Sequence, residues 1–153
     1  MRKLTRIISA AVLLLTTVFF MGFTPPGHNI VGEWAGTDKT EKTASFIFDK
    51  THHLTMIMDG KVMSGVEHEE NGKKVAIKYE LDETKKPIWL DFVFYIDGVR
   101  EDAKTAKGII RFISDTKIEM RMDFDSHTRF DKFDPKDKDN TIILTKKTTK
   151  QAK

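Results

Sequence analysis

Lys74-Val75-Ala76-Ile77-Lys78-Tyr79-Glu80-Leu81 and Ile88-Trp89-Leu90-Asp91-Phe92-Val93-Phe94-Tyr95-Ile96, joined by the turn 82–87, decide the fold. In the first stretch Val75, Ile77, Tyr79 and Leu81 face one way, and Lys74, Ala76, Lys78 and Glu80 the other. In the second, Ile88, Leu90, Phe92, Phe94 and Ile96 form the longest apolar face of the chain. Successive side chains of a strand point to opposite faces, so this two-residue period predicts two half-buried strands. A helical period of 3.6 fits neither stretch.

Working outward, the same alternation recurs with turn signals about every 8 to 12 residues. Upstream, Asn71-Gly72 is the strongest hairpin signal, because type I′ turns need positive φ at both positions. Lys61 to Glu69 predicts a weaker strand, and Asp59-Gly60 a second hairpin. Leu54, Met56 and Met58 alternate before it, as do Phe46 and Phe48, and Ile30, Gly32 and Trp34. Downstream, Asp97-Gly98 ends the long strand and a polar loop is expected to Lys107. Gly108 to Ile113 predicts a strand with no assignable inward face. Ile118, Met120, Met122 and Phe124 are expected inward, with Glu119, Arg121 and Asp123 outward. A polar, Asp-rich loop, 125–140, precedes a last strand at 141–145.

These segments predict an all-β domain of eight or nine antiparallel strands. An up-and-down barrel is favoured, since closure removes aggregation-prone edges and the turns read as hairpins. A two-sheet sandwich is the alternative and would need Greek-key crossovers.

Met1 to Arg6 is short and basic, and Ile7 to Phe23 follows with 17 uncharged residues. That order predicts a secretory signal helix over 1–26. Gly22 and Thr24 have the small-residue spacing of a cleavage site, with Pro25 after the cut. A length of 17 residues is also at the lower limit for spanning a bilayer. Cleavage and an uncut anchor therefore both stay open. Either places the domain, 27–147, outside the cytoplasm, periplasmic or secreted, with a frayed tail at 148–153. Membrane contact is expected only through the N-terminal segment, if uncleaved.

The chain of 153 residues has no Cys, which excludes disulfides and thiolate sites. Its net charge of +3 comes from Arg2, Lys3 and Arg6; the remainder is balanced, with the two signs interspersed. No basic patch for nucleic acid is indicated.

Gly32-Glu33-Trp34 opening the first strand resembles the Gly-x-Trp signature of lipocalin and calycin barrels. Tyr79-Glu80-Leu81-Asp82, Lys86-Pro87-Ile88-Trp89-Leu90-Asp91 and Lys107-Gly108-Ile109 add to this, with Arg129 and Phe133 before a final Ile-Leu strand. Together they resemble the short lipocalin-like domains of bacterial exported proteins of unknown function. The similarity covers roughly 30–146. That family places Pro after the Arg, where this chain has Phe130. The resemblance implies a barrel with a ligand cavity and no known activity. It also implies that Trp34 closes one barrel end against an Arg near the last strand, here Arg129.

No catalytic, metal or cofactor site is expected. His52 and His53 are adjacent, so a regular strand would send their rings to opposite faces. Asp131, Asp134, Asp137 and Asp139 lack EF-hand spacing and are interleaved with Lys132, Lys136 and Lys138, which reads as a solvated loop. Asp82 and Asp91 near Lys85 and Lys86 read as turn-stabilising groups, and Glu67, Glu69 and Glu70 as a charged edge strand. No nucleophile elbow, phosphate loop or zinc motif is present.

The candidate ligand-binding residues are those placed on inward faces: Met56, Met58, Tyr79, Phe92, Phe94, Met120 and Met122. Methionine is flexible and polarizable and can line an adaptable pocket, or simply fill a core. The Tyr79 hydroxyl needs a partner, which could be a core group, water or a ligand. The expected function is binding of a small apolar ligand without catalysis. The alternative is an envelope structural or interaction module with a filled core, using Trp89, Val93 and Tyr95 as an outward patch.

Overall fold

The computed structural model describes residues 28–37 and 42–148, so the expected signal segment 1–26 and the tail 149–153 lie outside the described residues. The described chain is antiparallel β-structure with one short 3-10 turn, Asp102–Lys104. Among the described residues eleven strands are formed, more than the eight or nine expected. They are β1 (Gly32–Thr37), β2 (Thr43–Phe48), β3 (Leu54–Met58), β4 (Lys61–Met63), β5 (His68–Glu70), β6 (Lys73–Asp82), β7 (Ile88–Ile96), β8 (Val99–Arg100), β9 (Ala106–Ser114), β10 (Lys117–Met122) and β11 (Thr141–Lys146). The extra strands are short. The single strand expected over 61–69 is split into β4 and β5. Asp97-Gly98, expected to open a loop, instead turns the chain back into β8.

Asp59-Gly60, Asn71-Gly72 and Asp97-Gly98 all take positive φ at both residues, 50°/78°, 51°/75° and 50°/77°. This matches the twist of the flanking strands, which type I′ turns require. The strands pair in the order β4-β3-β2-β1-β11-β10-β9-β7-β6-β5, with β8 beside β7. Most neighbours are consecutive hairpins. The long-range pairing is β1 with β11, where Trp34 opposes Lys146.

The sheet is open, since no ladder joins β4 to β5. Its two flanks nevertheless touch. His53 bridges to Lys78 of β6. Tyr79 N–H donates to the His52 carbonyl at 2.9 Å, and Ile77 N–H to the Gly65 carbonyl at 3.1 Å. Gly65 also donates to Thr55 Oγ1 at 3.2 Å. A Cβ at Gly65 would stand 2.2 Å from the Leu54 carbonyl oxygen, so only glycine lets the 64–67 segment lie this close to β3.

The inward faces follow the alternation. Trp34, Phe46, Phe48, Leu54, Met56, Ile77, Tyr79, Leu90, Phe92, Ile118, Met120, Met122 and Leu144 form one buried cluster. Each such aliphatic or aromatic side chain contributes about 1.5–3 kcal/mol on burial. Met58 and Phe94 are partly buried and packed against it. For β9 the inward face is Ala106 and Ile110, with Phe112 packed behind them. Its opposite face is apolar too: Ile109 is fully buried. Two buried faces explain why the sequence pattern of β9 assigns neither.

The cause lies in residues 123–140, of which 125–140 are expected to be a solvated loop. They form a strap across the outer face of β7, β9 and β10. Arg129 lies over the Trp89 ring, Phe130 against Arg121, and Phe133 against Arg111, at 4.2, 3.9 and 4.6 Å from cation to ring centre. Arg129 reaches the Asp91 carboxylate at 2.7 and 2.8 Å and donates to the Gly108 carbonyl at 2.7 Å. Arg121 donates to Asp137 Oδ2 and to the Lys132 carbonyl, each at 2.5 Å. Glu119 and Arg121, expected outward, are outward and yet buried, because the strap covers them.

The apolar patch expected on the outer face of β7 is therefore not formed as such. Val93 is 0% exposed and Tyr95 is half-buried; Trp89, 38% exposed, carries Arg129 and Lys85 against its ring.

Candidate ligand-binding site

The interior has two unlike ends. At one, the turn after β2 is held by its own side chains. Asp49 accepts from the N–H groups of Thr51 and His53 at 2.8 and 2.9 Å, and from the Thr51 hydroxyl at 2.8 Å. Those donors hold its carboxyl below the ordinary carboxylate range, against the opposing effect of desolvation. Tyr79 Oη donates to the Asp49 carbonyl at 2.8 Å, so its expected partner is a core group. Burial, reinforced by the Asp49 charge, raises the Tyr79 phenol above its usual value. His52, at φ 67°, stacks on the Tyr79 ring, and Phe48 meets it edge-on.

Trp34 lies at the same end and is fully buried. Its indole N–H donates to the Ile30 carbonyl at 2.6 Å, and Phe112 packs on its edge. The cation over its ring is Lys146, at 5.1 Å. Arg129, expected there, is committed to Trp89 and Asp91 instead. The resemblance points to an Arg near the last strand; it does not say that the strap would draw this one to the outer sheet face.

At the other end the inward faces of β2, β3, β10 and β11 diverge around an open recess of about 400 Å³. Its wall is Ala44, Phe46, Met58, Met120, Met122 and Ile142, with Phe124 at the lip. Phe124 had been expected inward on β10, but that strand ends at Met122 and the ring stands 40% exposed. The rim is polar: Lys42, Asp59, Asp123, Asp125, Asp139, Asn140 and the threonines Thr43 and Thr141. The Thr141 hydroxyl oxygen is buried without a hydrogen-bond partner among the described residues.

Of the seven expected ligand-binding residues, Met58, Met120 and Met122 line this recess. Met56, Tyr79, Phe92 and Phe94 do not. Phe92 sits between the two ends, 5.7 and 6.2 Å from the Phe46 and Phe48 rings and 6.1 Å from Phe124. Sequence reasoning missed Phe46 and Ile142 as lining residues, because periodicity assigns a face and not a height along the strand. It missed the acidic rim because the acids come from three separate turns. A second recess, about 370 Å³, lies between the strap and β10–β11, bordered by Glu119, Asp134 and Asp137.

Among the described residues no three His, Asp or Glu side chains are placed to hold a metal ion, and no helix is long and apolar enough to cross a membrane. His53 is bound to Thr51 at 2.8 Å and His127 to the Thr105 carbonyl at 3.2 Å. Comparisons with protein-family models, curated proteins and solved structures find no match to this chain.

Proposed function

We propose that this chain is an exported, non-enzymatic, lipocalin-like binding protein that takes a small apolar ligand into one end of its curved sheet. The carrying observation is the recess of about 400 Å³ walled by Phe46, Met58, Met120, Met122 and Ile142. Ligand sites are typically concave, apolar and about 300–1,000 Å³, with a few polar groups at the edge. The seam from Gly65 to Ile77 and from His52 to Tyr79 supports reading the sheet as a barrel closed by isolated contacts in place of a ladder. The basic and apolar order of Met1 to Phe23 supports export. The methionine thioethers give the wall the adaptability that a promiscuous apolar site uses.

The test is a titration of the folded protein with the neutral fluorescent probe phenylnaphthylamine, beside an Ala44→Phe variant. Ala44 borders the recess and is nearly fully buried, so a phenyl group there occupies ligand space. Saturable one-to-one binding, weakened about tenfold or more by Ala44→Phe in a variant with parental circular dichroism, is expected. A folded parent that does not bind would replace this reading with a surface module having a filled core.

A further inference from the structure

Among the described residues the rim of the recess carries four carboxylates, Asp59, Asp123, Asp125 and Asp139, against one ammonium, Lys42. They arrive from opposite sides of the opening. Asp59 sits in the β3–β4 turn and pairs with Lys42 at 3.5 Å. Asp123 and Asp125 begin the strap, and Asp139 ends it. Asp123 accepts from the N–H groups of Asp125 and Ser126 at 2.8 and 3.2 Å and from the Ser126 hydroxyl at 2.5 Å. These donors keep it ionised, with its carboxyl below the ordinary range. The Asp125 carboxylate has no partner among the described residues. Beside them the exposed Phe124 ring offers a negative π-face at the lip. Carboxylates around an apolar well, with an aromatic face at its edge, are complementary to a cation on an apolar tail.

We propose that the ligand is an amphiphilic amine: its hydrocarbon part enters the methionine-walled recess and its ammonium group stays at the rim between Asp125, Asp123 and Phe124. This deepens the binding function proposed above and rests on it. Asp59, Asp125 and Asp139 are solvent-exposed and Asp123 half-buried, so the charge selects among ligands of similar tail and contributes less to affinity than the apolar wall does. Salt weakens the selection, since exposed charges are screened within about 10 Å at 0.1 M ionic strength.

Three ligands with the same tail separate the possibilities: decylammonium, decanol and decanoate, each displacing phenylnaphthylamine from the full chain at neutral pH. Decylammonium is expected to bind about five- to tenfold more tightly than decanol, with decanoate weakest, and the gap should shrink in high salt. Asp125→Asn should narrow the gap between decylammonium and decanol. Glu70→Gln, on the exposed edge strand β5, is the charge-matched control and should leave it unchanged. Equal binding of all three, or tighter decanoate, would overturn the amine preference and leave the apolar site standing. Binding of none by a protein that is folded would remove the site itself.

Discussion

The two ends of the interior are built from similar apolar residues and reach opposite states. At the Asp49 end three polar groups near the core are used locally: Asp49 holds its own turn, Tyr79 donates to its carbonyl, and Trp34 donates to Ile30. The His52 ring then stacks on Tyr79, and Phe48 meets it edge-on. At the strap end the strands finish in turns whose polar side chains point to water or to each other, and the apolar wall is left uncapped. The difference teaches that filling depends on what crosses the end of the sheet, more than on how apolar the strands are. At one end a tight turn crosses it. At the other the chain leaves β10 through Asp123 and runs along the outside of the sheet, so Phe130 and Phe133 cover Arg121 and Arg111, and only Phe124 stays at the lip of the interior.

The largest effect that would break this comparison is at the filled end. Phe48→Ala should cost about 3–5 kcal/mol in a denaturant titration, because the surrounding rings cannot collapse into the space. A loss below about 1 kcal/mol would mean that this end is loosely packed as well. Met120→Ala makes the matching change at the open end. Its side chain is buried but borders the recess, so removing it enlarges an existing space; a cost near the lower end of the about 2–5 kcal/mol of a buried Met→Ala change is expected, with altered probe affinity. If Met120→Ala costs as much as Phe48→Ala and leaves the probe affinity untouched, the two ends are energetically alike and the recess is not a binding surface.

The smallest effect concerns the strap. Hydrogen bonds from the Arg121 guanidinium and then the Asn140 amide hold the Asp137 carboxyl below the ordinary range. A carboxyl whose folded-state value is lowered binds its proton less readily when folded. Its stabilising contribution is complete above the unfolded value near 4 and is lost as pH falls below that. The stability difference between the parent and Asp137→Asn should thus be present at about pH 7 and shrink as pH falls to about 2. A gap of equal size at both would show that the variant acts through packing of the strap and not through the ion pair.

The strand alternation, read from single residues, was a reliable guide to which side chains point inward: Met56, Tyr79, Phe92, Met120 and Met122 are all in the core. It held because burial on one face imposes a period of two that slipping by one residue would invert. It failed on β9, where Ile109 and Ile110 are both buried, because a strand covered on both faces carries no contrast. The glycine turns were legible at 59–60 and 71–72 because positive φ restricts residue type. The same signal at Asp97-Gly98 marks the end of β7 in the sequence, but the residues after it carry no alternating apolar face that would announce β8.

By itself the sequence determined the all-β class, the positions of these turns, the facing of the core strands and the charge balance of the chain. These follow from local sterics and from short-range hydrophobic patterning. Only the tertiary structure decided that Arg129 serves Trp89 and Asp91, that Lys146 lies over Trp34, and that Gly65 lets the two flanks of the sheet touch. The same holds for three of the four candidate methionines, which border an open recess while Met56 is packed away. Each of these depends on which distant segments share a neighbourhood, and that is set by strand order and by the path of the strap, neither of which leaves a periodic trace in the chain.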